Sequence, residues 1–199
     1  HVRQLDAVAS RTLVNLASAA PLLQVRDGER VMVDLDDTII EVHGYKKQGA
    51  SFGYSGVRGL NALLATASTT SSAPVILGQR LRQGKTGSPK GAARIVGDVL
   101  ATLRRMSTGS SVRPLLRADS AFYGHATVGT AITAGADVSV TVRMDPAVKT
   151  AIASIPVPLR PPCVVTSQPD GVGSEPSGTV RASTDRTMPV SYTHLTLPT

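Results

Sequence analysis

A short apolar segment that ends among carboxylates constrains this chain more than any other feature. Arg30-Val-Met-Val-Asp-Leu-Asp36 is rich in β-branched residues and has the length of a buried strand. Asp34, Asp36 and Asp37 gather at the end of that predicted strand. A second strand-like run, residues 112–118, leads into Asp119. Carboxylates grouped at neighbouring strand ends cannot all stay ionised without a compensating cation. Mg²⁺ suits such a site, because it is a hard ion that takes oxygen ligands and keeps several waters. Two such ions can activate a nucleophile and stabilise a leaving oxygen in phosphoryl transfer.

The rest of the pattern fits a sheet covered by helices. Residues 4–20 carry Leu5, Val8, Leu13, Leu16, Ala17 and Ala20 at helical spacing, stopped by Pro21. Gly44, Gly49, Gly53, Gly56 and Gly59, interleaved with Tyr45, Phe52 and Tyr54, predict turns and close backbone approaches. Residues 60–66 and 75–81 read as two further strands. Ser88-Pro89 predicts a helix start, with Ser as N-cap and Pro at the first helical position. Ile95, Val99, Leu103 and Met106 form that helix's buried stripe, and Thr108-Gly109-Ser110 ends it. Residues 124–134 predict a short helix closed by Gly135, and residues 138–142 a fifth strand. Asp145-Pro146 opens a last helix reaching Ser154. The order is helix, three strands, helix, strand, helix, strand, helix. It implies an α/β fold with a mixed sheet flanked by helices.

Composition narrows the classes. Lys and Arg number 21 against 14 Asp and Glu, a formal charge of +7 that is compatible with a polyanionic partner. Aromatics are 3% and Trp is absent, so the core must rest on aliphatic side chains. The single cysteine, Cys163, rules out a disulfide framework or Cys-based zinc site within the chain. No apolar run approaches the roughly 18 residues of a membrane span. His1 is neither an initiator Met nor the start of a signal peptide, so the chain is expected to begin inside a longer protein. After Ile155 the composition breaks: residues 156–189 contain seven prolines among Ser, Thr and Gly, which predicts a disordered tail. His43 and His125 have no partner at metal-ligand spacing, and His194 and Cys163 carry no expected role.

Two families share parts of this pattern. Val-Asp34-Leu-Asp36-Asp37-Thr38 resembles the nucleophile motif of the haloacid dehalogenase-like magnesium phosphatases, with Asp34 as nucleophile and Asp36 as acid/base. That family's downstream Gly-Asp-x3-Asp pair is not found, and Asp37 replaces its usual Gly. A longer ordered set resembles the DDE-type transposases of bacterial insertion sequences, in the insertion-sequence-four superfamily. The set comprises Val33-Asp-Leu-Asp-Asp-Thr38, Glu41-Val-His-Gly44, Gly53-Tyr-Ser-Gly-Val-Arg-Gly59, Arg80-Leu-Arg-Gln-Gly84, Leu116-Arg-Ala-Asp-Ser-Ala-Phe-Tyr123 and Val142-Arg-Met-Asp-Pro146.

This second resemblance, over residues 5–155, implies a ribonuclease H-like fold and metal-dependent DNA cleavage and strand transfer at insertion-sequence ends. It makes Asp36 the first metal ligand and Asp119 the second, with Asp34 a weaker third choice. Arg58, Arg80, Arg82, Lys85 and Arg117 become phosphate contacts. The implied cofactor is a pair of Mg²⁺ ions, with Mn²⁺ as substitute. The implied partners are transposon-end and target DNA, with a homodimer at full length and no membrane, in the nucleoid-associated cytoplasm of a bacterium. The family's third acid is a Glu on a later helix. Glu175, in Ser-Glu-Pro-Ser-Gly, cannot occupy such a helix. The expectation is therefore a domain incomplete at its C-terminus and a chain inactive in strand transfer. Val190-Ser-Tyr-Thr-His-Leu-Thr-Leu-Pro-Thr199 resembles a translated sequencing adapter. The expected division is an N-terminal helical segment at 1–29, a partial catalytic domain at 30–155, a disordered or frameshifted tail at 156–189, and an adapter-derived scar at 190–199.

Overall fold

Alternation along one strand organises the sheet. In β1 (Val31–Glu41), Val31, Val33 and Leu35 are buried, while Asp34 and Asp36 lie on the opposite face. The structure, a computed structural model, describes residues 2–44, 46–107, 113–154 and 192–197. The tail at 156–189, with Cys163 and Glu175, lies outside the described residues, as do Tyr45, Thr108-Gly109-Ser110 and Val112.

The chain divides into two compact units, residues 1–140 with 196–199, and residues 141–195. The first opens with α1 (Val2–Ala19) and continues through β1, β2 (Ser51–Phe52), β3 (Arg58–Ser68), β4 (Val75–Gln83), α2 (Ala92–Met106) and β5 (Pro114–Ala118). A 3₁₀ turn (Ser120–Phe122), α3 (His125–Thr133) and β6 (Asp137–Arg143) follow. β1 pairs antiparallel with β3, and β3 with β2 and β4. β1 pairs parallel with β5, and β5 with β6. The order β4-β3-β1-β5-β6 is the ribonuclease H-like arrangement: an antiparallel three-strand meander continued by parallel strands through helical crossovers.

The core is aliphatic, as the lack of Trp requires. Val31, Val33 and Leu35 of β1 join Leu63, Ala65 and Ala67 of β3, Leu116 of β5, and Val138 and Val140 of β6. Ile95, Val96, Val99, Leu100 and Leu103 of α2 cover them, and Phe122 is the one aromatic in the cluster. Gly78 lets α2 approach β4, since a Cβ there would lie 2.6 Å from Cγ1 of Val99. α1 belongs to the same unit. Ser10 Oγ lies 2.8 Å from Thr102 Oγ1 of α2, and Arg80 of β4 donates to Asp6 at 2.8 Å.

Two expectations change. The predicted strand over residues 30–36 runs on to Glu41, so the acids sit inside it. Antiparallel pairing with β3 continues to Glu41↔Gly59, whereas parallel pairing with β5 stops at Leu35↔Ala118. The acids therefore mark where one neighbour ends, and not where the strand ends. The second change concerns α2, which starts at Ala92 behind Gly91 in a left-handed conformation, φ 82°. Ser88 does not cap it, because its hydroxyl donates to Asp37 Oδ1 at 3.1 Å.

In the second unit, α4 (Pro146–Ser154) begins where the Asp145 carboxylate accepts the Val148 N–H at 2.9 Å, as the Asp-Pro signal predicts. A strand, β7 (Tyr192–Leu197), is described within the stretch read from sequence as a scar.

At the N-terminal ends of the parallel strands one buried carboxylate serves two cations. Asp137 is 1% exposed, and Arg30 (3.0 Å) and Arg113 (2.8 Å) both reach it from the residues preceding β1 and β5. Removing Asp137 breaks charge-assisted hydrogen bonding but strands no buried cation, since Arg30 and Arg113 are 44% and 48% exposed, so the cost is about 1.5–3 kcal/mol. Asp137→Ala is expected to lose that much in urea denaturation. Arg30→Gln should lose far less, because Arg113 still compensates Asp137.

Candidate functional site

Strand register puts Asp36 and Asp119 at the same place in their two strands. Leu35 pairs with Ala118, the last pair of the parallel ladder, and Asp36 on β1 and Asp119 just past β5 are the residues that follow it. Asp119 keeps an extended backbone, φ −79° and ψ 179°, so side-chain alternation carries past the end of β5. Both residues therefore lie on the face opposite the α2 core, and both are exposed. Oδ1 of Asp36 accepts the Asp37 N–H at 2.8 Å, and Oδ1 of Asp119 accepts the Ala121 N–H at 2.9 Å as N-cap of the 3₁₀ turn. Each carboxylate is thus oriented by one backbone donor on one oxygen.

Two residues earlier on the same face, Asp34 lies directly across from Arg117. Arg117 Nε donates to Oδ1 at 2.6 Å and Nη2 to Oδ2 at 2.8 Å, a two-pronged pair that engages both Asp34 oxygens. The hydrogen bonding of Arg117 to the Asp34 carboxylate is the main reason the Arg117 pKa is raised, against partial desolvation. Asp34 as nucleophile of a phosphatase gains no support here, since each of its oxygens is engaged by Arg117. Among the described residues, no three His, Cys, Asp or Glu side chains converge as a metal-binding group. The open carboxylates are Asp36 and Asp119, two hard oxygen donors that fit a divalent ion completed by water or further ligands.

The third acid of the sequence cluster does different work. Asp37 points to the core face, where Arg82 Nη2 and Asn61 Nδ2 each donate to Oδ2 at 2.7 Å. Arg82 also bonds Asn61 Oδ1 and donates to the carbonyls of Ser88 (3.0 Å) and Lys90 (2.7 Å). Arg82 is 6% exposed and Asp37 14%, so the pair is largely out of water. Burial lowers the Arg82 pKa, and the charge of Asp37 offsets part of that. The network ties β1, β3, β4 and the turn before α2 under the acid face. Sequence reasoning missed it; the available signal was Asn61, a lone amide inside the apolar run of β3.

The five basic residues expected to meet phosphate divide. Arg82 is buried against Asp37 and is not presented to a ligand. Arg117 is held by Asp34, and Arg80 by Asp6 at 2.8 Å, with Asp98 at 3.8 Å. Arg58 donates to the carbonyls of Val42 (3.3 Å) and Gly44 (2.6 Å), fastening the turn after β1. Lys85 is exposed.

The sheet has the ribonuclease H-like strand order, with Asp36 and Asp119 following the last pair of its adjacent parallel strands. The family model for the transposase DDE domain matches residues 27–167, and the chain belongs to that family. The match leaves out α1 and runs past Ile155 into the tail. No curated protein matches the chain closely enough to serve as a relative. Among solved structures, the chain is similar to the Mos1 transposase paired-end complex with the left transposon end, at 16% identity and a TM-score of 0.35 over 67% of this chain and 40% of that one. It is also similar to the Mos1 mariner paired-end complex with Mn, at 16% identity and a TM-score of 0.37 over 69% and 42%. The chain thus spans about two fifths of the length of these structures.

The geometry separates two kinds of acid. Asp37→Ala, which leaves Arg82 buried without its counter-charge, is expected to cost about 3–5 kcal/mol in urea denaturation. Asp36→Asn, at an exposed position, should stay within about 0.5 kcal/mol of the parent.

Proposed function

We propose that this chain carries part of the catalytic centre of a DDE transposase, which cleaves DNA at insertion-sequence ends and joins it to target DNA. The observation that supports the reading is that Asp36 and Asp119 each follow the last pair of the β1–β5 ladder, both exposed and each with one oxygen oriented by a backbone N–H. Membership of the transposase DDE domain family supports it. In this reading Asp36 and Asp119 hold the metal, Mg²⁺ with Mn²⁺ as substitute, and Asp34 stays with Arg117. The bound metal would supply an activated water or 3′-hydroxyl and charge neutralisation at the phosphorus. The protein's own share is positioning: two adjacent strands fix the separation of the carboxylates before any ligand arrives.

The DNA partner fits the formal charge of +7. Lys85 remains a phosphate contact in this reading, and Arg58, Arg80 and Arg117 reach phosphate only by sharing or exchanging their present partners. The division proposed is a catalytic part over 30–155 preceded by a helical segment at 1–29, with homodimerisation a property of the full-length protein acting on the nucleoid. Two carboxylates hold a metal weakly and do not complete strand transfer.

Titrating the chain with Mn²⁺, followed by water-proton relaxation, tests the assignment. Saturable binding is expected, weakened at least about tenfold by either Asp36→Asn or Asp119→Asn, about 1.4 kcal/mol. Asp98→Asn, on the exposed side of α2, should leave it unchanged. Binding that survives both site substitutions overturns the reading.

A further inference from the structure

The acid face carries a charge pair that the chemistry above does not use. Asp34 and Arg117 lie in register on β1 and β5, two residues before Asp36 and Asp119, and alternation puts all four side chains on one face. Two residues along a strand is about 6.5–7 Å. The pair therefore sits one side-chain step from the open carboxylates. It is 36–40% exposed, and an ion pair so exposed contributes little to folding. Its two-pronged geometry, 2.6 and 2.8 Å, is nevertheless well formed. Asp34 would otherwise be a third carboxylate beside Asp36 and Asp119.

We propose that the Asp34–Arg117 pair regulates the charge of the acid face: Arg117 withholds Asp34 from the metal and, with it, presents a neutral neighbour to Asp36 and Asp119. Arg117 is thus a positioning residue that sets metal affinity without touching the ion. The inference rests on the assignment of Asp36 and Asp119 as metal ligands.

A charge role and a purely structural role predict different signs. Removing Arg117 leaves an unpaired carboxylate beside the metal, so Arg117→Gln should tighten Mn²⁺ binding about three- to tenfold at low salt. Removing the carboxylate leaves an unpaired cation there, so Asp34→Asn should weaken binding by a similar factor. The double substitution, which removes both charges, should return close to the parent, and Arg117→Lys, which keeps the charge, should stay close to it. The probe is Mn²⁺ alone, with the intact chain and water-proton relaxation as readout, and circular dichroism checks that each variant is folded. Should Arg117→Gln fail to fold, the parent, Asp34→Asn and Arg117→Lys decide the matter: Asp34→Asn weak with Arg117→Lys near the parent supports the proposal. Weakening in both Arg117→Gln and Arg117→Lys, or no change in Arg117→Gln and Asp34→Asn, overturns it while leaving the acid assignment standing. An absence of Mn²⁺ binding by the parent chain overturns both.

Discussion

The parallel pairing of β1 with β5 is the constraint on which the rest depends. It fixes which residues face each other across the two strands, and a shift of one residue would send every side chain to the opposite face. With Leu35 against Ala118, the aliphatic residues of both strands meet α2, and the acids that follow fall on the far side. Core and site are therefore two consequences of one register. The hydrophobic face supplies the specificity: Val31, Val33, Leu35 and Leu116 are 0–2% exposed, and a one-residue slip would turn one strand's set away from the core.

Three neighbouring carboxylates on one strand are handled in three ways. Asp34 is neutralised by a cation across the parallel pair, Asp37 by a cation reached through the antiparallel strands, and Asp36 by none of these. Parity explains the division. Asp37 falls on the same side as Leu35 and so must be satisfied inside the protein, which Arg82, Asn61 and Ser88 accomplish. Asp34 and Asp36 fall on the open side, where only the first finds a guanidinium in register. Arg82, for its part, could not be buried without Asp37 and the turn carbonyls that accept its remaining N–H groups.

This division marks how far the sequence is readable. Apolar strand runs, helix periodicity and the Asp-Pro start of α4 are local signals, and the elements they predict are present, although β1 runs past its acids. The expectation that Asp36 acts with Asp119, distant in sequence, came from family resemblance, because no local pattern encodes register. The roles of Ser88 and Arg82 were not legible. Ser-Pro is a good helix start in isolation, but the Ser88 hydroxyl is drawn to Asp37, and the helix waits for Gly91. Arg82 reads as a surface base in a chain of formal charge +7 until β3 and β4 place it across from Asn61. A charged residue's partner is a tertiary fact, and the same residue type serves as a buried strut or a phosphate contact depending on which strand lies opposite.

The charges that hold the sheet together are kept apart from those that face outward. Asp137 with Arg30 and Arg113 sits at the N-terminal ends of the parallel strands, and Asp37 with Arg82 lies beneath the acid face on the core side. Asp137, Asp37 and Arg82 are largely out of water, so their loss is felt in folding. Asp36 and Asp119 are exposed and bonded only to backbone N–H groups of the next residue or the one after. Their carboxylates do little for the fold, since no buried group depends on them. Two exposed acids whose described side-chain bonds are to backbone N–H groups keep oxygens open to a ligand, as the proposed function requires. That is the physical reason to place the chemistry there and not in the better-connected Asp37, whose hydrogen-bonding capacity the fold has already consumed.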